Sequence, residues 1–366
     1  MSSTQEKVIV IGAGIIGLMT ALELAERGYQ VEIFDQHAAA QEASWAGGGI
    51  LSPLYPWKYA PAVNQLARYG WVMYQAWNEK LQTITGIDFE IEQVGLLIFD
   101  QDQYTQALTY ARDYSDLGQA ATFMQGTALK AINSHVAKKT AIYFPHIANV
   151  RNPRLVQSLL AYLNLCTNVV IHQYNAITLL VRDEKMIHAV QDSQGAKHKA
   201  KHYVIAAGAW SDTLLQQCGV QTAIQPMHGQ MVLYKTPEKW LPTICMNQTM
   251  YLIPRRDGHI VCGSSTQNRG FDKTLQDEVS QKIIAASVEL VPELAQFPIV
   301  KQWSGLRPGS PEGIPFIGRV KEMKNLWLNV GHYRNGLVMA PASARLLVEL
   351  MQGESPFVEA NPYACH

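Results

Sequence analysis

Residues 8–35 read VIVIGAGIIGLMTALELAERGYQVEIFD. An apolar, β-branched run from Val8 to Ile11 enters the turn Gly12-Ala13-Gly14-Ile15-Ile16-Gly17. A helix-period segment follows, and a second apolar strand ends at Asp35. Each part has a physical job. Gly12 permits the tight turn, Gly14 lets a pyrophosphate approach the backbone, and Gly17 lets the helix pack close to the strand. The helix N-terminus presents free N–H groups and the positive end of its dipole to phosphate. Asp35, 18 residues past Gly17, is placed to accept hydrogen bonds from a ribose diol. Glycine-rich turns are common, so the fingerprint alone is weak. Strand, helix and acid at these distances make it a dinucleotide site, without saying which dinucleotide or which reaction.

A chain of 366 residues, 48% hydrophobic and 16% charged, can bury a large core and is expected to form two lobes. Thirty basic residues balance thirty acidic ones, so no overall field draws in nucleic acid or an anionic membrane. The isolated pairs Arg255-Arg256 and Lys138-Lys139 are expected to lie in solvent. The five cysteines, Cys166, Cys218, Cys245, Cys262 and Cys365, show no CxxC and no zinc spacing, which reads as reduced thiols in a cytoplasmic protein. Met1–Lys7 lacks the basic region of a signal peptide, and no run of 18 apolar residues occurs, so no membrane span is expected. The histidines are too scattered for a metal site, and no serine or cysteine sits in a nucleophile elbow.

Further along, helical patterns cover 62–85, 102–117, the stretch after Asn152-Pro153, 275–291 and 336–353. Strand patterns cover 94–99, 203–208, 230–234, 250–254, 259–263 and 326–331, and a hairpin is expected across 186–201. Three strand–glycine–helix units, near 12, 208 and 331, are thus interleaved with two β-richer insertions. The expected division is a nucleotide-binding domain from 1–85, 150–217 and 306–366, and a substrate domain from 86–149 and 218–305. That interleaving favours a flavin, whose longer body reaches from the first unit towards the last.

Three places carry candidate chemistry. Trp303 to Gly318 is dense in turn residues and holds one fixed positive charge, Arg307, either a clamp for a carboxylate or the partner of an internal acid. Gly331-His332-Tyr333-Arg334-Asn335-Gly336 follows a strand and opens a helix. Its N–H groups and positive dipole would favour charge that develops at N1/O2 of a reduced isoalloxazine. Arg334 reads as a further positive charge at this helix end or as a substrate contact, with a surface cap as the alternative. Tyr251 reads as a second carboxylate ligand or as a packed phenol.

The chain resembles the flavin-dependent amino-acid oxidases of the D-amino-acid oxidase superfamily, most closely the glycine oxidases of thiamine biosynthesis. The resemblance runs nearly end to end, through GAGIIG (12–17), ASWAGGGILSP (43–53), VIAAGAWS (204–211), YLIPR (251–255), WSGLRPGSPEGIPFIG (303–318) and GHYRNGLVMAP (331–341). It implies an α/β fold: a discontinuous Rossmann-like FAD-binding domain with an inserted antiparallel-sheet substrate domain. It implies FAD held by Ile15, Ile16, Asp35, Gln36, Ala43, Ser44 and Gly47, Gly48 and Gly49. Ile177 would meet the adenine, and His332, Tyr333, Arg334, Asn335, Gly336, Leu337 and Val338 the isoalloxazine; Gly208, at the end of the second strand–glycine–helix unit, is expected to bind the cofactor as well. Arg307 would clamp the substrate carboxylate, with Tyr251 and Arg334 beside it.

Two departures from the family pattern matter. Thr266 stands where glycine oxidases of this type can carry methionine, which makes a smaller and more polar pocket wall. The only cysteine near the C-terminal region is Cys365, in the tail, so the FAD is expected to be non-covalent. The activity implied is oxidative deamination of glycine, sarcosine or small D-amino acids, with O2 as electron acceptor and no general base. A dehydrogenase passing electrons to a quinone and a non-catalytic FAD-binding protein are the alternatives, and the sequence leaves a homo-oligomer open.

Overall fold

The computed structural model describes residues 6–114 and 120–365. Residues 115–117 of the helix expected over 102–117 and most of Met1–Lys7 lie outside the described residues. Among those described, the strands form sheets of six, nine and three strands.

The six-stranded sheet has the order Phe316–Arg319, Leu326–Val330, His202–Ile205, Lys7–Ile11, Gln30–Phe34 and Val169–His172. All neighbours are parallel except the first pair. Lys7–Ile11 lies at its centre, which suits a continuous apolar run buried on both faces. One face carries the helices Ile15–Glu26, Pro61–Thr85, Asn152–Leu165 and Gly336–Gln352, packed in the largest apolar cluster. A smaller cluster, including Leu180, Ile187 and Leu215, covers the other face, beneath the three-stranded sheet formed by Ile177–Arg182, Ile187–Asp192 and Lys197–His198. The fully buried Tyr74 donates its hydroxyl to the Leu337 carbonyl at 2.7 Å, tying the long helix to the start of the last one.

The nine-stranded sheet draws on residues 96–144 and 225–309. It is mainly antiparallel, with one parallel pairing between Leu96–Ile98 and Ile244–Met246. The fold is therefore the α/β arrangement expected, a parallel nucleotide-binding sheet interleaved with a largely antiparallel one.

One expectation fails. Trp303 to Gly318 was read as turn, but Ile299–Gly309 is an eleven-residue strand paired along its length with Gln225–Lys235. Pro308 lies directly opposite Pro226. Neither has an N–H to give, so the two meet as a non-hydrogen-bonded pair and the ladder survives them. The boundary expected between 305 and 306 falls inside this strand.

Candidate active site

A cleft with about 1930 Å³ of empty space runs from the first glycine turn to the start of the last helix. At its first end Gly12 has φ +108°, and a Cβ there would fall on the Ala206 carbonyl. Gly17 faces the turn, where a Cβ would overlap the Gly12 oxygen, so it packs the helix and does not line the cleft. Gly14, Ile15 and Ile16 at the helix N-terminus do line it, and Ser44 Oγ accepts the Ile15 N–H at 2.7 Å. The Asp35 carboxylate accepts N–H bonds from Ala13 at 2.7 Å and His37 at 2.9 Å. Burial nevertheless pushes its pKa up, against those bonds. Gln36, Ala43, Ser44, Gly47, Gly48, Gly49, Ile177 and Gly208 complete this part of the wall.

At the other end, residues 332–337 line the cleft, and Gly336–Gln352 points its N-terminus towards it with Asn335 at the N-cap position. Val338 is buried in the main core and is not part of the wall. His332 lies beneath. Ser343 Oγ donates to Asn329 Oδ1 at 2.6 Å, so it must accept from His332 Nε2–H, also at 2.6 Å. Asn329 in turn donates to Thr20 Oγ1 at 3.0 Å, and Thr20 to the Ile16 carbonyl at 2.8 Å. This buried chain joins the two helices whose N-termini face the cleft. Burial pulls the His332 pKa down to about 3, so the imidazole is neutral.

Between these ends stand two arginines without carboxylate partners among the described residues. Arg307 Nη2 donates to Ser264 Oγ at 2.7 Å and Nη1 to the Ser265 carbonyl at 3.2 Å. Its guanidinium lies over Gly229 on the neighbouring strand, where a Cβ would come within 2.6 Å of Cζ. Burial, and then Arg334, push its pKa down, while Tyr251 and Tyr333 oppose the shift. Tyr251 lines the cleft, its hydroxyl 3.6 Å from Met231 Sδ and its ring against Gly48. Arg334 is exposed, stacks over Tyr333 and donates to Thr266 Oγ1 at 2.6 Å. Thr266 acts on the cleft through that bond and is not itself in the wall. Half-buried Tyr59 stands beside Arg334, Tyr333 and Arg307; burial raises its pKa.

The cleft thus offers two helix N-termini, a buried acid and two unpaired cations. Further free groups line it: Asn152 Oδ1 is buried without a partner, and the Gly48 and Gly49 N–H groups make no hydrogen bond among the described residues. Donors and acceptors left open in this order suit a phosphate-bridged dinucleotide with a polyhydroxyl chain and a polar-edged ring, as FAD has. The FAD dependent oxidoreductase family, DAO, matches residues 7–350. The chain belongs to that family. It is an FAD-dependent oxidoreductase, and none of the five cysteines lines the cleft. It is 45% identical over 360 residues to a glycine oxidase of Pseudomonas aeruginosa, covering 98% of both chains. A glycine oxidase of Pseudomonas putida is 44% identical with the same coverage. The crystal structure of glycine oxidase from Geobacillus kaustophilus superposes with a TM-score of 0.91 at 24% identity, covering 99% of each chain.

Several residues of the site carried no reading from sequence: Asn152, Tyr59, Gly229, Ser264 and Ser265. Asn152 had a partial signal, since it precedes the proline that opens a helix, but its burial did not show. One reading is overturned. Arg255 was expected in solvent beside Arg256, yet it is 7% exposed and makes three hydrogen bonds inside. Arg256 is the solvated member, paired with Asp88 and Glu92. No helix among the described residues is long and apolar enough to cross a membrane.

Proposed function

We propose that this chain catalyses the oxidative deamination of glycine and similar small amino acids, with O2 as the final acceptor. The observation that carries the reading is Arg307, a half-buried cation on the cleft wall with no carboxylate to neutralise it among the described residues. A substrate carboxylate completes it in the planar, two-point manner that guanidinium favours. The two Pseudomonas relatives support glycine as substrate.

The residues divide the work. Ser264 and Ser265 fix the fork of Arg307, and Gly229 leaves room for it beneath. The Tyr251 hydroxyl stands beside that fork and supplies a further donor to the carboxylate. Arg334 and Tyr59 close the outer side. The substrate amine must be neutral, because its lone pair drives formation of the imine. His332 cannot take its proton, since its Nε2–H is committed to Ser343 and its pKa lies near 3. Rate enhancement therefore rests on positioning and on the electrostatics of the two helix termini. Gly12, Gly14, Ile15, Ile16, Asp35, Gln36, Ala43, Ser44, Gly47, Gly48, Gly49 and residues 332–337 would hold FAD, which when bound would supply a two-electron acceptor that O2 regenerates with release of hydrogen peroxide. The imine hydrolyses to an oxo acid and ammonia, or passes to thiazole synthesis. Five free cysteines suit a reducing compartment, so the cytoplasm is the location we propose.

The test is anaerobic mixing of the yellow protein with glycine, sarcosine and D-alanine. Bleaching with glycine, followed in air by one peroxide per turnover, is the expected result. Bleaching without peroxide, but with reduction of a quinone dye, would assign a dehydrogenase. A spectrum unchanged by any amine would refute an amine-oxidising function.

A further inference from the structure

Arg255 directly follows the Tyr251–Pro254 strand, and its guanidinium forms no ion pair among the described residues. Nη1 donates to Asn149 Oδ1 at 2.5 Å and to the Val150 carbonyl at 2.9 Å, and Nη2 donates to the Gly48 carbonyl at 2.7 Å. The nearby acids Glu90 and Asp257 are held instead by Arg151, at 3.2 and 2.8 Å. Burial, and then Arg151, pull the Arg255 pKa down to about 10, so it keeps its proton at neutral pH. A buried cation with only neutral partners is costly, and packing alone does not account for it.

What it holds does. The Gly48 carbonyl belongs to the same peptide group as the Gly49 N–H. Both Gly48 and Gly49 line the cleft, and neither N–H has a hydrogen-bond partner among the described residues. The rest of the loop is fixed from behind: the Gly49 carbonyl accepts from Val150 N–H at 2.8 Å, and Asn152 Nδ2 donates to the Ser44 carbonyl at 3.0 Å. The loop is thus anchored through its carbonyls and its donors are left for the cleft. A cation on the carbonyl also polarises the peptide and strengthens the N–H on its other side.

We infer that Arg255 is a positioning residue that acts through the Gly48–Gly49 peptide, setting both how tightly FAD is held and how readily it accepts electrons. The inference rests on the cleft being the FAD site. Uptake of two electrons and one proton leaves the ring system with one more negative charge, and a nearby fixed cation favours that form over the neutral oxidised one.

The experiment titrates FAD into the apoprotein, following fluorescence quenching, and then measures the midpoint potential of the loaded protein. It compares the natural chain with Arg255→Met, Arg255→Lys and Arg256→Met. Arg255→Met should weaken FAD binding roughly ten- to a hundredfold, the range for one charged hydrogen bond. It should also lower the potential, by about 30 mV for each tenfold preference for the reduced form that is lost. Arg255→Lys should fall between, because a point charge cannot hold three acceptors at once. Arg256→Met should change neither. Affinity and potential both within about twofold (some 9 mV) of the natural protein in Arg255→Met overturn the inference. If Arg255→Met does not fold, Arg255→Lys and Asn149→Ala carry the test, and unchanged values in both overturn it. Failure of the natural apoprotein to bind FAD would refute the site itself instead.

Discussion

Replacing Arg307 with methionine keeps the side chain's bulk but removes a half-buried cation, held by hydrogen bonds, from the substrate side of the cleft. Truncating one partner of a desolvated, hydrogen-bonded charge pair costs about 2–5 kcal/mol. At about 1.4 kcal/mol per decade, that is roughly a 30- to 4,000-fold loss in kcat/KM for glycine. The upper half of that range applies, since Ser264 Oγ and the Ser265 carbonyl hold the guanidinium in place before substrate arrives and little ordering remains to be done on binding. Arg334 makes the contrast. It is exposed and its charge is screened by water, so Arg334→Met should cost less than about fivefold. Arg307→Lys should fall between, keeping the charge and losing the fork. The assay is initial-rate peroxide formation at saturating FAD, with the visible spectrum of each variant showing full cofactor loading. Arg307→Met within about tenfold of the natural enzyme would refute the carboxylate clamp, as would a larger loss from Arg334→Met.

Gly229→Ala should imitate the loss of Arg307 while leaving FAD affinity unchanged, because its Cβ would displace the guanidinium; normal KM for glycine in that variant would count against the packing. Asn152→Ala should weaken FAD binding roughly tenfold without altering KM, since it frees the Ser44 carbonyl and removes an acceptor from the cleft; a titration of the apoprotein reads this directly. His332, ordinarily titrating near 6.5, is held neutral with a pKa of about 3. The unfolded chain therefore binds more protons between those values, so stability is full above about 6.5 and falls as pH drops towards 3, by an amount on the order of several kcal/mol. Urea midpoints of the apoprotein across that range should show the loss, and His332→Gln should flatten it. Asp257, pulled down to about 2 by its partners His259 and Arg151 against burial, contributes stability that is full above its ordinary value of 3.8 and is lost as pH falls from there towards 2, so the loss between 6.5 and 3.8 is free of it.

The strand–turn–helix unit at 7–26 was legible because everything that specifies it is local: apolar β-branched residues, glycines at fixed offsets, a helical period. The same holds for the units near 208 and 331. Ile299–Gly309 was not legible, because its prolines and glycines look like turn until Pro226 is set opposite Pro308. That pairing joins positions 82 residues apart, and no local pattern reports it. The site divides the same way. Arg307 stood out as the one fixed positive charge of its segment, whereas Ser264, Ser265 and Gly229 matter only through the side chain they hold or admit.

Arg255 marks the border between the two cases. Taken with Arg256 it looks like a solvated pair, and averaging over neighbours hides the difference. A strand, however, sends alternate side chains to opposite faces, and Tyr251-Leu252-Ile253-Pro254-Arg255 ends with Arg255 on the face of Tyr251 and Ile253. A Cβ on Gly48 would touch both Ile253 and Tyr251, and the Gly48 carbonyl accepts from Arg255. All three odd-numbered residues therefore meet one glycine of the FAD loop, while Arg256 turns outward to Asp88 and Glu92. The period of two groups Arg255 with Tyr251 and Ile253, but Leu252 and Pro254 on the other face are buried as well, so the pattern alone does not pick out the buried arginine. What it cannot supply is the glycine on the far side, some 200 residues earlier in the chain, and that contact gives the buried charge its purpose.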